Sequence, residues 1–341
     1  MRIAWRMGRE VRIETHDRRS QMFMRKLQLI GAAFAIALVS ASATAQKVQL
    51  FVGTDYPFSA AYVAAAKGLF AKHGVDATVN TFNTGADAVL AMRSAKAGYV
   101  LAGDLPSVRT WAVGDVVGIA PLTWDDSSLA VLAAPQITKA ADLKGKRVST
   151  PIGSTGEIFF LNYLRQNGIG RKDVDLINLT PGDMPVALAR GDIVAFLWNT
   201  PTTSAGLKAA KGSHFLTNGS KGFGVNRVMF NAARATAENN PDQVIAVFRA
   251  LLDAQQFIKS NPDEAHAIVA KALGTTPERV REQIKVFNFD MTLDKAFVDD
   301  MTSKIEIARE IGIVNAPINW KTQWMTKFAK AVDPKLVQVE P

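Results

Sequence analysis

Apolar residues follow two alternating rhythms along this chain. Compact runs such as Val48-Gln49-Leu50-Phe51-Val52, Tyr99-Val100-Leu101-Ala102 and Ile193-Val194-Ala195-Phe196-Leu197-Trp198 give way to stretches with apolar residues three and four apart. The first rhythm predicts buried strands and the second amphipathic helices. Strands are expected at 48–53, 76–82, 99–102 and 116–121, with helices at 59–71, 86–94 and 104–111 between them. The pattern restarts with strands at 147–150, 175–179 and 193–198. Helices follow each, the second closed by Gly191. Strands alternating with helices of this length imply parallel sheets covered on both faces. Two related α/β lobes are therefore expected. The remainder is helical, at about 241–259, 262–272, 277–285, 295–311 and 319–331. Asn240-Pro241, Asn261-Pro262 and Thr276-Pro277 open the first three, each placing proline at the first helical position. Two chain crossings, near 124–128 and 222–226, would form a two-strand hinge. The expected lobes are 46–127 plus 224–341, and 128–223.

The segment KRVSTPIGSTGEIFFLNY, from Lys146 to Tyr163, carries the most specific signal. Its apolar run ends at Pro151, and Ser154 with Glu157 has the spacing of a capping box. A helix should start directly after a strand. The first N–H groups of such a helix lack internal partners and carry partial positive charge, which suits an anionic or electron-rich ligand. The plain alternative is that Ser154 only caps its helix. The arrangement recurs, however. Thr84, Asp104, Asp183 and Thr200-Pro201 also stand where a strand hands over to a helix, although for Asp183 capping alone is favoured.

Ligands of open parallel sheets lie beyond the carboxyl ends of the strands. The residues expected to meet there are Tyr56, Phe58, Thr84, Asp104, Ser154, Thr155, Gly156, Trp198 and Asn199. Hydroxyls and helix starts would hold a polar group, and Tyr56, Phe58 or Trp198 would pack on an organic body. Asp55 and Asp104 would repel a dianion. This narrows the expected ligand to a monoanion or polar group with an organic body.

Charge and composition exclude several classes. The chain has 341 residues and a net charge of +9, with no cysteine. Residues 1–45 contain eight Lys/Arg and three Asp/Glu, so +5 of that charge belongs to them and +4 to the rest. Arg25 and Lys26, the apolar stretch 27–40 and Ala43-Thr44-Ala45 read as a secretory signal cleaved after Ala45. The remaining charge is not clustered, which argues against a nucleic-acid partner. Export without cysteine, hence without disulfides or a lipid anchor, points to a periplasmic, soluble protein.

Catalytic equipment is missing from the sequence. The four histidines, His16, His73, His214 and His266, have no metal-ligand spacing, with His214 read in a turn. No P-loop, dinucleotide fingerprint or nucleophile elbow occurs. Asp125-Asp126 falls in the hinge and Asp299-Asp300 on an exposed helix face. No catalytic residue, metal or cofactor is expected.

AYVAAAKGLFAKHGVD, DLKGKRVSTPIGSTGE, PGDMPVALARGDIVAF and the strand ending in Trp198 resemble the nitrate/sulfonate/taurine and pyrimidine-precursor family of ABC-importer periplasmic binding proteins. The resemblance is strong over 46–230. It implies a type II periplasmic binding fold, with two α/β lobes joined by a two-strand hinge and a helical C-terminal tail on the first lobe. A monomer would hold a small molecule between the lobes and deliver it to a membrane permease driven by a separate ATPase. It further implies that Thr84, Ser154, Thr155 and Trp198 contact the ligand. Many relatives have Trp-Glu-Pro after this strand, where this chain has Trp198-Asn199-Thr200-Pro201. Loss of that carboxylate favours an anionic or neutral ligand. The alternatives are a pyrimidine- or thiamine-precursor binder, an enzyme on the same fold, or a receptor presenting ligand to a sensor.

Overall fold

A computed structural model describes residues 46–218 and 225–341. The expected signal segment, and most of the expected second crossing at 222–226, lie outside these residues. Eleven strands form two sheets among the described residues. The first sheet contains β1 (Gln46–Gly53), β2 (Val75–Phe82), β3 (Tyr99–Gly103), β4 (Val116–Asp125), β10 (Asn226–Ala233) and β11 (Asn288–Phe289), ordered β11-β4-β10-β3-β1-β2. The second contains β5 (Leu129–Ala133), β6 (Arg147–Ser149), β7 (Asp175–Ile177), β8 (Ala195–Asn199) and β9 (His214–Asn218), ordered β7-β6-β8-β5-β9.

The apolar runs are strands because both of their faces are covered. In β1 and β3, Leu50, Val52, Tyr99 and Leu101 point to one side, where Phe230 and Phe248 join them. Phe51, Val100 and Ala102 point to the other, against Val89 and Met92 of the helix Gly85–Ala95. Full burial of each of the Val, Leu, Phe and Met side chains stabilises the fold by about 1.5–3 kcal/mol.

The parallel expectation holds for β1 with β2 and β3, and for β6 with β7 and β8. It fails where the chain passes between sheets. β10 runs antiparallel to β3 and β4, and β5 antiparallel to β8 and β9. A strand that arrives from the other sheet enters from the opposite end, and periodicity carries no direction. His214, expected in a turn, begins β9. Asp125 fastens the crossing from β4 to β5. Its Oδ1 accepts from the Ser127 and Ser128 N–H groups at 3.1 and 2.7 Å, and its Oδ2 from Asn226 Nδ2 at 2.7 Å.

Two predicted helices are interrupted. Gly68, at φ 64°, separates Ser59–Ala66 from Leu69–Lys72. The last helix divides into Trp320–Gln323 and Thr326–Val332 because the chain between them pairs with β4, Met325 N–H donating to the Gly118 carbonyl at 2.9 Å. The helix Lys295–Glu310 also reaches further than expected. Its Phe297, Met301 and Ile305 share a core with Leu105 and Trp111, which follow β3, and with Phe159 and Phe160, which follow β6. The C-terminal segment thus packs on helices belonging to both sheets. Among the described residues no helix is long and apolar enough to cross a membrane.

Candidate ligand-binding site

Between the two sheets, beyond the carboxyl ends of β1, β3 and β8, lies a small, partly open cavity. Phe58, Thr84, Ser154, Thr155, Gly156, Trp198 and Asn199 all line it, brought together from both sheets. Asp55, Asn83, Gly85, Ala86, Gly103 and Asn226 complete its polar and backbone surface. Tyr56 and Asp104 do not line it.

Two helices of useful length begin at the cavity wall. Gly85–Ala95 follows β2, and Thr155–Gln166 follows β6. By position, the N–H groups of Gly85, Ala86, Thr155 and Gly156 have no intrahelical acceptor. The two helix starts, one behind each sheet, present partial positive charge to the same space.

The capping box proposed at Ser154 takes another form. Ser154 Oγ turns back to donate to the Pro151 carbonyl at 2.6 Å and makes no cap. Glu157 Oε2 accepts from the Gly153 N–H at 2.7 Å instead, and from Arg109 Nη2 at 3.3 Å. The tight turn at Gly153, with φ 87°, brings its N–H within reach of Glu157 ahead of Ser154. Thr84 is a true cap: its Oγ1 accepts from the Asp87 N–H at 3.1 Å and donates to Asp87 Oδ2 at 2.8 Å. Its hydroxyl proton is therefore already engaged. Asp183 makes no cap either, because it accepts from Thr180 Oγ1 at 2.6 Å. Thr155 Oγ1 lies against Gly103 at the end of β3, a contact between the sheets that leaves no room for a Cβ at 103.

Apolar surface comes from Phe58, Pro57, Pro106, Leu129, Val228 and Trp198. Trp198 sits over Gly156, where a Cβ would stand 2.8 Å from the indole. Tyr56 is buried in a neighbouring concavity with Pro181, Thr200 and Arg279. It follows Asp55 within a single 3-10 turn, which sends consecutive side chains in different directions.

Asp104 is fully buried behind the wall. Its Oδ1 lies 3.2 Å from Lys304 Nζ, and its Oδ2 accepts from the Arg227 N–H at 3.2 Å. Burial pushes its pKa up to about 6, with Lys304 pulling the other way. Asp300, read as exposed, also faces inward. Its Oδ2 accepts from Arg227 Nε at 2.6 Å and lies 2.7 Å from Lys304 Nζ. Apolar periodicity carries no sign of this buried cluster.

Asp55 turns toward the cavity. Its Oδ1 accepts from the Tyr56 N–H at 2.8 Å, and its Oδ2 from Asn199 Nδ2. The latter bond joins the end of β8 to the chain after β1. A carboxylate supplied from the other sheet therefore stands beside Asn199. The sequence puts Asn226 in the second crossing and not among the site residues, because its polar side chain begins a strand instead of a helix.

Burial pushes the Asp55 pKa up to about 6, opposed by the Asn199 and Tyr56 bonds and aided by Asp125. The folded chain thus holds this proton more tightly than the unfolded chain. The stability it contributes is complete below the ordinary value of 3.8 and is lost as pH rises through about 6. Asp55→Asn should therefore gain stability relative to wild type at pH 7.5 compared with pH 4.5. Urea midpoints at the two pH values measure this, and an equal difference at both would show that Asp55 titrates normally.

The NMT1/THI5 like family matches residues 56–265. The chain belongs to that family. A taurine-binding periplasmic protein of Escherichia coli is 31% identical over 244 residues, spanning 67% of this chain and 72% of that protein. The fold is that of periplasmic binding proteins. The alkanesulfonate-binding protein SsuA from Xanthomonas axonopodis pv. citri, bound to MOPS, superposes with a TM-score of 0.70 at 19% identity, covering 82% of this chain and 98% of SsuA. SsuA from Escherichia coli gives 0.67 at 20% identity, covering 82% and 97%. The desulfurization enzyme DszB shares the fold with a TM-score of 0.62 at 14% identity, covering 84% and 98%.

Proposed function

We propose that this family member is a periplasmic solute-binding protein that captures a small organic anion, sulfonate- or carboxylate-like, between its two sheets. It delivers the ligand to a membrane permease driven by a separate ATPase. The observation that carries the reading is the convergence of helix starts from both sheets on one cavity that also presents Phe58 and Trp198. Fixed N–H groups suit an acid group, and the aromatic surfaces suit its organic body. The taurine- and alkanesulfonate-binding relatives support the same ligand class. In this reading residues 46–127 plus 224–341 and 128–223 act as lobes that close on the ligand. The likeness to DszB shows the fold alone, and this chain has no cysteine to act as a nucleophile.

A thermal-shift screen of the purified protein against sulfonates, carboxylates, nitrate and pyrimidines tests the class. Stabilisation by sulfonates or carboxylates is expected, and stabilisation by pyrimidines alone would refute it. The Ser154→Ala/Thr155→Ala variant should bind the selected anion about tenfold or more weakly, ~1.4 kcal/mol. Its unliganded stability should fall by only about 0.5–1.5 kcal/mol, the worth of the buried Ser154 Oγ bond to the Pro151 carbonyl, which a melting curve separates from the loss of affinity. Unchanged affinity by calorimetry would leave both residues with a purely local role at the helix start.

A further inference from the structure

We infer that Arg109 is a positioning residue: through Glu157 it latches the helix start at Thr155 to the first sheet, and so sets how readily the two sheets part and release a solute. This rests on the reading of the cavity as a solute site between two lobes that close.

Arg109 lies on the helix Asp104–Val113, which follows β3 of the first sheet, and it does not line the cavity. Glu157 lies in the first turn of the helix Thr155–Gln166, which follows β6 of the second sheet. Arg109 Nη2 donates to Glu157 Oε2 at 3.3 Å, so this ion pair joins a helix of one sheet to a helix of the other. The same Oε2 accepts from the Gly153 N–H at 2.7 Å. The pair therefore grips the turn that delivers Ser154, Thr155 and Gly156 to the cavity wall. Arg109 also lies against that turn. A Cβ at 153 would stand 3.5 Å from Arg109 Nη1 and 4.0 Å from the Cβ of Ala86, which lines the cavity from the first sheet. The pair thus stands at the seam where the two cavity walls meet.

Its surroundings make it a bond that can open. The Glu157 side chain is 8% exposed and the Arg109 side chain 39%. A pair partly out of water attracts more strongly than a solvated one. Against this, Arg109 Nε is buried without a hydrogen-bond partner. Parting the sheets would let water reach that donor and would offset part of the lost pairing. Lys304, held between Asp104 and Asp300 at 4% exposure, has no such route to water. A bond made only while the sheets are together favours that arrangement alone, and such differential interaction is what shifts a two-state equilibrium. Solute enters and leaves through the open arrangement. Loss of the latch should therefore speed release and leave entry nearly unchanged.

Two substitutions isolate the latch. Arg109→Met keeps the stem without the charge, and Glu157→Gln removes the charge while keeping an acceptor for the Gly153 N–H. Because the chain has no cysteine, Leu90→Cys with Val186→Cys gives one labelling pair. Both positions are exposed, one on the helix Gly85–Ala95 against the first sheet and one on the helix Met184–Arg190 against the second. Pulsed spin-label distance measurements on the unliganded protein should show a population at longer distance in either substituted background. The Arg109→Met/Glu157→Gln variant should match the single variants, because all three lack the same bond. In unlabelled protein, stopped-flow tryptophan fluorescence with propanesulfonate should show dissociation about three- to tenfold faster, with association within about twofold of wild type. Distances unchanged in folded variants would overturn the assignment, as would slower association with unchanged dissociation, the mark of a damaged site. Melting curves establish folding, and Glu157→Gln decides the matter if Arg109→Met folds poorly. If propanesulfonate does not bind the wild type, the anion reading fails by itself and the label distances still decide the latch.

Discussion

Lys304→Met is expected to cost about 3–5 kcal/mol of folding stability, the range for breaking a buried ion pair by removing one partner. Lys304 is 3% exposed, on the inward face of the helix Lys295–Glu310. Its ammonium lies 3.2 Å from Asp104 Oδ1 and 2.7 Å from Asp300 Oδ2, donates to the Val225 carbonyl, and stands 5.5 Å from the Phe159 ring centroid. Methionine keeps the stem and its packing but removes the charge. Asp104, with no exposure to water, would keep only the Arg227 N–H, and Asp300 would keep Arg227. The loss should be smaller at pH 5 than at pH 8, because Asp104 takes up a proton below about 6. Urea unfolding followed by circular dichroism at both pH values measures it. In the Lys304→Met/Asp104→Asn double variant, stability should recover in part, since the stranded charge is gone. A single-variant loss below about 1 kcal/mol would class the cluster with exposed pairs, which contribute little.

Gly156→Val is the second large expectation, and it strikes the site itself. A Cβ at 156 would stand 2.8 Å from Trp198 Cε3 and would press on Thr150 Oγ1. The indole and the first helical turn must both shift. Overpacking of this kind costs about 1–3 kcal/mol of stability. Ligand affinity should fall about a hundredfold, ~2.8 kcal/mol, because the apolar platform and the N–H groups of the helix start move together. Calorimetry with the anion selected by the screen reads the affinity, and Trp198 fluorescence reports the displaced ring. Affinity within about threefold of wild type would show that Trp198 and this helix start are not part of the binding surface.

Much of this molecule is written locally. The runs at Leu50 and Leu101 are buried on both faces, so their hydrophobicity is continuous and legible. Proline after Asn240, Asn261 and Thr276 marks helix starts that the structure reproduces, at Pro241, Pro262 and Pro277. Seven of the nine expected site residues share one cavity, because strand-to-helix handovers in a parallel arrangement face the same edge. Helix interruptions at Gly68 and Trp324 were less legible. The first needs a left-handed residue inside an apolar pattern, and the second arises from pairing with a strand more than two hundred residues earlier.

What the sequence by itself determined is the class of fold, the succession of its elements and the neighbourhood of its cavity, since these follow from hydrophobic period, caps and punctuation along short stretches. The tertiary structure alone decided strand direction at the crossings, the turning of Ser154 away from its helix, the burial of Asp104 with Lys304, and the meeting of Asp55 with Asn199. Each of these depends on groups far apart in the chain. Their energies come from desolvation and pairing that exist only once the two sheets stand together.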